Sequence, residues 1–171
     1  MVRDAQGLQP GVVAGKDLLA QVRMAPHLQI LFQWRTDPVF ARDRSRVLAL
    51  CSELQRLLLP LAWECESRPE HFDGELLRAL RAAGCDTVKI GLESGDPELL
   101  AAIGRVHDQT AGEEYLEHVT AVAEACRQIG ITCRVFVMLG LPDQSSQSLE
   151  RTERYLRRLH PDRLHVKQYT W

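Results

Sequence analysis

From Leu28 onward the apolar positions of this chain switch repeatedly between a period of two and a period of three to four, the signatures of strands and amphipathic helices. Leu28–Trp34 reads as a strand. Ala41–Leu58 reads as a helix with Val47, Leu50, Cys51, Leu54, Leu57 and Leu58 on one stripe. Leu61–Ser67 is the next strand, followed by a helix from about Gly74 that Asp73 caps and Gly84 ends. Thr87–Leu92 is a third strand and Pro97–Gly104 a short helix. Thr110-Ala111-Gly112-Glu113 reads as a capping box opening a long helix with Leu116, Val119, Val122, Cys126 and Ile129 on its apolar face and Gly130 at its close. Thr132–Leu139, Gln147–Leu159 and Leu164–Tyr169 complete a β-α-β-α-β-α-β-α-β order. Lys16–Met24 adds a weak helix in front, stopped near Pro26. Residues 1–13 hold turn formers without a period and are expected to be poorly ordered, leaving 14–171 as the domain.

Such alternation forces parallel pairing through right-handed crossovers, so the fold class is α/β, with about five strands and helices on the outer face. Short, apolar strands of this kind are expected to be covered on both faces. Five strands are too few for an eight-stranded barrel; a partial open barrel and a doubly wound sheet both satisfy the pattern.

The 171 residues are 45% hydrophobic and 26% charged, with a net charge of −2, which gives no reason to expect nucleic acid or an anionic membrane as partner. Arg151, Arg154, Arg157 and Arg158 make one helix locally basic, read as a solvated face. No apolar run approaches the roughly 20 residues of a membrane span, and the N-terminus lacks an apolar leader, so a cytoplasmic location is expected. Five cysteines, an odd number without C-x-x-C spacing, are expected as buried, reduced thiols rather than disulfides or metal ligands. The histidines show no ligand spacing, and only His165 is expected to face the interior.

In a parallel layer the strands end on one rim, where α/β folds place ligands. Val88-Lys89-Ile90-Gly91-Leu92-Glu93-Ser94-Gly95-Asp96-Pro97 ends an apolar strand in a carboxylate, two glycines and a helix-starting Asp-Pro. Val135-Phe136-Val137-Met138-Leu139-Gly140-Leu141-Pro142 ends another in a glycine turn. Alternation puts Lys89, Gly91 and Glu93 on one strand face and Glu64, Glu66 and Arg68 on one face of their own strand, with Asp37, Lys167 and Tyr169 at neighbouring strand ends. Charges on such faces are costly unless paired or used for a ligand. Two readings stay open: ion pairs inside the barrel, such as Glu66 with Arg68 or Lys89, and a binding rim. On the second, Glu93 suits the vicinal diol of a ribose, and the Gly-Leu-Pro turn exposes backbone groups able to read an adenine edge.

Trp63-Glu64-Cys65-Glu66-Ser67-Arg68-Pro69-Glu70, Leu76-Leu77, Ala83-Gly84-Cys85, Ile90-Gly91-Leu92-Glu93-Ser94-Gly95, Gly130-Ile131 and Val137-Met138-Leu139-Gly140-Leu141-Pro142, in that order and spacing, resemble the radical S-adenosylmethionine (radical SAM) superfamily, in particular the subgroup that often carries a cobalamin-binding domain. The resemblance covers roughly residues 28–169. It implies a partial six-stranded (β/α) barrel binding S-adenosylmethionine across its rim, with Glu93 on the ribose hydroxyls and the strand end Val137, Met138, Leu139 and Gly140 on the adenine. It also places the segment around Asp37 near the methionine amino group, and it brings Glu66, Arg68, Gly91 and Ser94 into the cofactor site.

The departures from that pattern are as informative. The superfamily holds a [4Fe–4S] cluster with three cysteines, usually C-x-x-x-C-x-x-C, after its first strand, and these 171 residues contain no such triplet. Element counting leaves the first strand of the six absent and Lys16–Met24 as its crossover helix. Asp143-Gln144 stands where many relatives have Gly-Glu, a change expected to weaken the adenine-side turn. The resemblance thus implies the C-terminal part of a radical SAM core, inactive alone, with the cluster, and cobalamin if used, in a longer parent acting on a substrate the sequence does not name. A non-catalytic S-adenosylmethionine-binding or scaffold half-barrel is the alternative, and a cluster-free lyase using Lys89 or Lys167 as a Schiff-base amine is a third reading. Leu28–Trp34, left as an apolar sheet edge, is expected to invite pairing with another chain.

Overall fold

A computed structural model describes residues 31–33, 39–58 and 62–170 of the chain. The expectations for residues 1–13, for Lys16–Met24 and for Asp37 lie outside the described residues. Five strands, β1 (Leu31–Gln33), β2 (Ala62–Ser67), β3 (Cys85–Glu93), β4 (Thr132–Leu139) and β5 (Arg163–Gln168), form one sheet in the order β1-β2-β3-β4-β5, every neighbouring pair parallel. The helices between them are α1 (Arg44–Arg56), α2 (Gly74–Ala82), α3 (Pro97–Ala102), α4 (Gln109–Ile129) and α5 (Ser146–Leu159).

Sequential strand order decides between the two architectures. When each crossover steps the same way with the same hand, every helix falls on the same side of the sheet, whereas a doubly wound sheet reverses direction midway. The burial pattern agrees: Cys65, Val88, Ile90, Leu92, Cys133 and Val135 are sealed under the helices, while Glu64, Glu66, Gly91, Glu93, Arg134, Phe136 and Met138, on the opposite face, are half-buried. Among the described residues the sheet is therefore part of a barrel wall that does not close, with β1 and β5 each paired on one side only. Among the described residues this corrects the expectation of strands covered on both faces, because their unclosed wall has no opposite side to cover its inner face. In β5 all six residues are exposed, Leu164 and Val166 at 46% and 48%. His165 does share the inner face, with its ring 5.2 Å from that of Phe136, but it too is exposed.

Local chemistry sets the helix ends. The Asp73 carboxylate accepts from Leu76 N at 2.8 Å, and Gly130 ends α4 at a φ of 80°, both as expected. The long helix α4 starts earlier than the expected capping box: Asp108 is its N-cap, accepting from Ala111 N at 2.8 Å, while Glu113 accepts from the Gln109 side chain instead. α4 lies tight against α3, since a Cβ on Gly112 would lie 2.7 Å from the Pro97 carbonyl oxygen. Leu76, Leu77, Leu80, Leu100 and Val119 are fully buried between helices and sheet, each stabilising the fold by about 1.5–3 kcal/mol relative to exposure.

Candidate functional site

Glu93 ends β3 in the left-handed region, at a φ of 62°, and the β3–β4 register shifts between Gly91 and Glu93. Such an irregularity re-aims the side chain that follows it. Here the Glu93 carboxylate folds back over Gly91: a Cβ on Gly91 would lie only 2.4 Å from Glu93 Oε1. The glycine thus makes room for its neighbour's carboxylate, a closer reason for it than the approach of a flat ligand. Burial pushes the Glu93 carboxyl above its usual range, and nearby Glu66 adds to the push, while Arg105 and Lys167 pull it back. The Gly91 carbonyl accepts from the Tyr115 hydroxyl and from Arg105 Nη2 at 3.1 Å. Arg105 also donates from Nε and Nη2 to the Tyr115 hydroxyl, at 3.1 and 2.9 Å.

Interior ion pairs exist beside this rim, but with other partners than expected. Lys89 bonds Glu64, not Glu66, and Arg134 Nη1 approaches the same carboxylate at 3.3 Å. Glu64 lies one alternation deeper in the barrel wall than Glu66, which leaves the Glu66 carboxylate to act on Glu93. Arg68 does not turn to Glu66 either: its Nη2 donates to the Arg105 carbonyl at 3.2 Å and its Nε lies 2.7 Å from Glu70. Arg68, Glu70, Arg105, His107, Tyr115 and His118 border a cleft of about 540 Å³ on the outer side of the rim. Because Lys89 is held by Glu64 and the Lys167 ammonium sits 4.4 Å over the Phe136 ring, neither is placed as a free amine.

At the end of β4, Gly140 takes a φ of 79° and Asp143 a φ of 60°. Gln144 spans the turn: its Oε1 accepts from Gly140 N at 2.6 Å and its Nε2 donates to the Met138 carbonyl at 3.1 Å. The Asp143-Gln144 departure, expected to weaken this turn, instead supplies a brace for it. Tyr169 N donates to the Leu139 carbonyl at 2.7 Å, so β5 holds the same turn from its far side.

Ser94 follows Glu93 but faces the other way. Fully buried, its hydroxyl lies 3.1 Å from Thr152 Oγ1 on α5, which also accepts from Gly95 N at 3.0 Å. Any contact of Ser94 with a ligand at the rim is left to its backbone. Three arginines of the basic cluster on α5 are occupied as well: Arg151 meets Asp96 at 3.0 Å and Glu98 at 2.7 Å, Arg157 meets Glu153 at 2.6 Å, and Arg158 lies over Tyr155.

Of the expected site residues, the fold gathers Glu66, Gly91, Glu93 and Met138 on the open inner face near the strand ends, with Leu139 and Gly140 at the adjoining turn. It turns Arg68 and the Ser94 side chain away. Arg105, Tyr115 and Gln144 were not singled out from the sequence. The first two reach β3 from a loop and from a helix whose capping and apolar patterns do not single out Tyr115; Gln144 was noted only as a departure.

The thiols do not fit a cluster. All five cysteines are free and buried; Cys65 and Cys85 have their sulfurs 4.0 Å apart under the helix layer, and Cys51 is pushed by burial to about 12. Among the described residues no group of three or more His, Cys, Asp or Glu side chains could hold a metal ion. None of the helices in these residues is long and apolar enough to cross a membrane.

An unclosed parallel β/α barrel wall with an acid and a glycine turn at its carboxyl rim is the architecture of the described residues. The chain matches the radical SAM superfamily over residues 35–156 and belongs to that superfamily. It is 25% identical over 126 residues to an uncharacterized methyltransferase of Pyrococcus horikoshii, covering 74% of this chain and 26% of that protein. It is 27% identical to the oxygen-independent coproporphyrinogen III oxidase of Escherichia coli, covering 73% of this chain and again 26% of the relative. The solved structure of that oxidase, HemN, described as a radical SAM enzyme, superposes with a TM-score of 0.58 at 26% identity over 72% of this chain and 29% of the oxidase. The radical S-adenosylmethionine methyltransferase TsrM of Kitasatospora setae, with cobalamin and a [4Fe–4S] cluster bound, shares the fold at a TM-score of 0.70 and 20% identity, over 90% of this chain and 28% of TsrM. The chain thus spans little more than a quarter of the length of these relatives.

Proposed function

We propose that this chain is the S-adenosylmethionine-holding part of a longer radical SAM enzyme. The observation that carries the reading is the Glu93 carboxylate, fixed at the left-handed end of β3 beside a Cβ-free Gly91 and open to the inner face. A carboxylate in that place can accept both hydroxyls of a ribose. The side chains of Met138 and Leu139, beside the Gly140 turn, then offer a surface for the adenine, and Glu66 and Lys167 lie within electrostatic reach of the same carboxylate. Asp37 is assigned to the methionine end on the family resemblance. Reductive cleavage of S-adenosylmethionine is the chemistry a [4Fe–4S] cluster supplies when bound, and the thiols of this chain do not provide for one. Cluster, substrate and any cobalamin belong to the parent enzyme.

Calorimetric titration of the chain with S-adenosylmethionine tests the reading. Binding is expected, weakened about tenfold or more in Glu93→Gln, as for loss of a hydrogen-bonding charge. Absence of heat with the wild-type chain, or full affinity in the variant, overturns it. Reconstitution of the parent enzyme with iron and sulfide is expected to yield a cluster whose ligands lie outside the five cysteines described above.

A further inference from the structure

We propose that Tyr115 is a positioning residue of the nucleoside rim, acting on Glu93 through the Gly91 carbonyl; this rests on the S-adenosylmethionine reading above. The β3–β4 register shifts at this point, and a half-buried carbonyl that a ladder irregularity leaves unpaired is best satisfied by a side chain. Tyr115 supplies one from α4, beside Arg105 Nη2, which donates to the same carbonyl at 3.1 Å. Its hydroxyl accepts from Arg105 Nε and Nη2, at 3.1 and 2.9 Å, which occupies its lone pairs and directs its proton to Gly91.

The tyrosine is itself held firmly. It is 5% exposed, and one turn before it Gly112 lets α4 close onto Pro97. The path from helix to carboxylate is short and rigid: Tyr115 fixes the Gly91 peptide, the Gly91 peptide fixes the irregularity, and the irregularity sets the left-handed backbone that aims Glu93. Gly91 works on the same carboxylate from the other side, since any Cβ there would clash with Oε1.

Adenosine and 2′,3′-dideoxyadenosine separate positioning from general stability, because only the first carries the diol. The wild-type chain is expected to prefer adenosine in calorimetric titrations. Tyr115→Phe keeps the ring and its packing; it should lower adenosine affinity about tenfold, as for one hydrogen bond to a charged group, and leave dideoxyadenosine affinity unchanged. Gly91→Ala, which displaces the carboxylate without touching α4, should do the same, and Tyr115→Phe should add nothing to Glu93→Gln. A Tyr115→Phe chain that keeps the wild-type preference, or that loses both ligands equally, overturns the positioning role alone. A wild-type chain that binds both nucleosides equally, or neither, overturns the nucleoside reading and this role with it.

Discussion

The Gln144 carboxamide closes on the backbone of Gly140, accepting its N–H at 2.6 Å while donating to the Met138 carbonyl at 3.1 Å. One side chain thereby satisfies a donor and an acceptor of this turn, the pair an adenine edge would need under the proposed function. An adenine at this rim therefore either displaces Gln144 or lies with its face on Met138 and Leu139. Gln144→Glu distinguishes the two ends of the brace. An ionised Glu can still accept from Gly140 but faces the Met138 carbonyl as a second acceptor; a protonated one can donate to it. Hydrogen bonding to its neutral form raises the folded-state pKa of this Glu, so the variant should match the wild type at acid pH and lose stability as pH rises through that raised value. Thermal melts of both proteins across pH check it. Gln144→Ala should lose about 1–2 kcal/mol at every pH.

Burial raises the carboxyl of Glu93 above its usual range, with a direct consequence for stability. A raised acid favours the folded state fully below the unfolded-state pKa, and that contribution is lost as pH climbs through the folded value. At neutral pH the ionised form of Glu93 is thus costly to the folded state. Glu93→Gln should melt higher than the wild type at pH 7, with the difference vanishing below the ordinary carboxylate range of about 4. The same variant should bind S-adenosylmethionine less well. A variant that gained no stability at pH 7 would contradict the burial of this charge.

Thr152 ties the rim to α5. Its Oγ1 accepts from Gly95 N at 3.0 Å, lies 3.1 Å from Ser94 Oγ and donates to the Ser148 carbonyl at 2.9 Å. Thr152→Val keeps the shape but strands buried donors, so a loss of about 1–3 kcal/mol is expected in denaturant unfolding. Thr152→Ser, which retains the hydroxyl, should lose clearly less. Gly95→Ala should also destabilise, because its Cβ would meet Thr152 Cα and Tyr155 Cβ at 2.8 Å each.

The five thiols should be silent in the native chain. Each is buried, and Cys51, Cys65 and Cys133 are raised above the ordinary thiol range, Cys51 by burial and the other two chiefly by a hydrogen bond to a neighbouring cysteine. A chromogenic disulfide reagent should label them only on unfolding. Anaerobic treatment of the chain with iron and sulfide should give no cluster absorbance. A stable brown native protein would refute this account of the cysteines.

Much of the architecture is legible from short-range rules. The apolar stripes on α1 and α4, the Asp73 cap and the Gly130 close all act within one or two turns of chain. The start of α4 shows where such rules compete. Thr110 and Glu113 have capping-box spacing, yet Asp108, two residues earlier, takes the N-cap with a carboxylate, a stronger acceptor than a hydroxyl. Ser94 shows another limit: its place beside Glu93 suggests the rim, but the left-handed turn at Glu93 swings its side chain under α5.

By itself the sequence determined the parallel α/β order, the family, and the strand ends at Glu93 and Gly140, because hydrophobic period and turn chemistry are properties of neighbouring residues. Tertiary structure decided that the sheet stays an open barrel wall, that Glu64 rather than Glu66 holds Lys89, and that Arg105, Tyr115 and Gln144 brace the rim. Those partners are chosen by packing across crossovers and turns. Hydrogen bonds of about 3 Å select among side chains that no periodicity brings together.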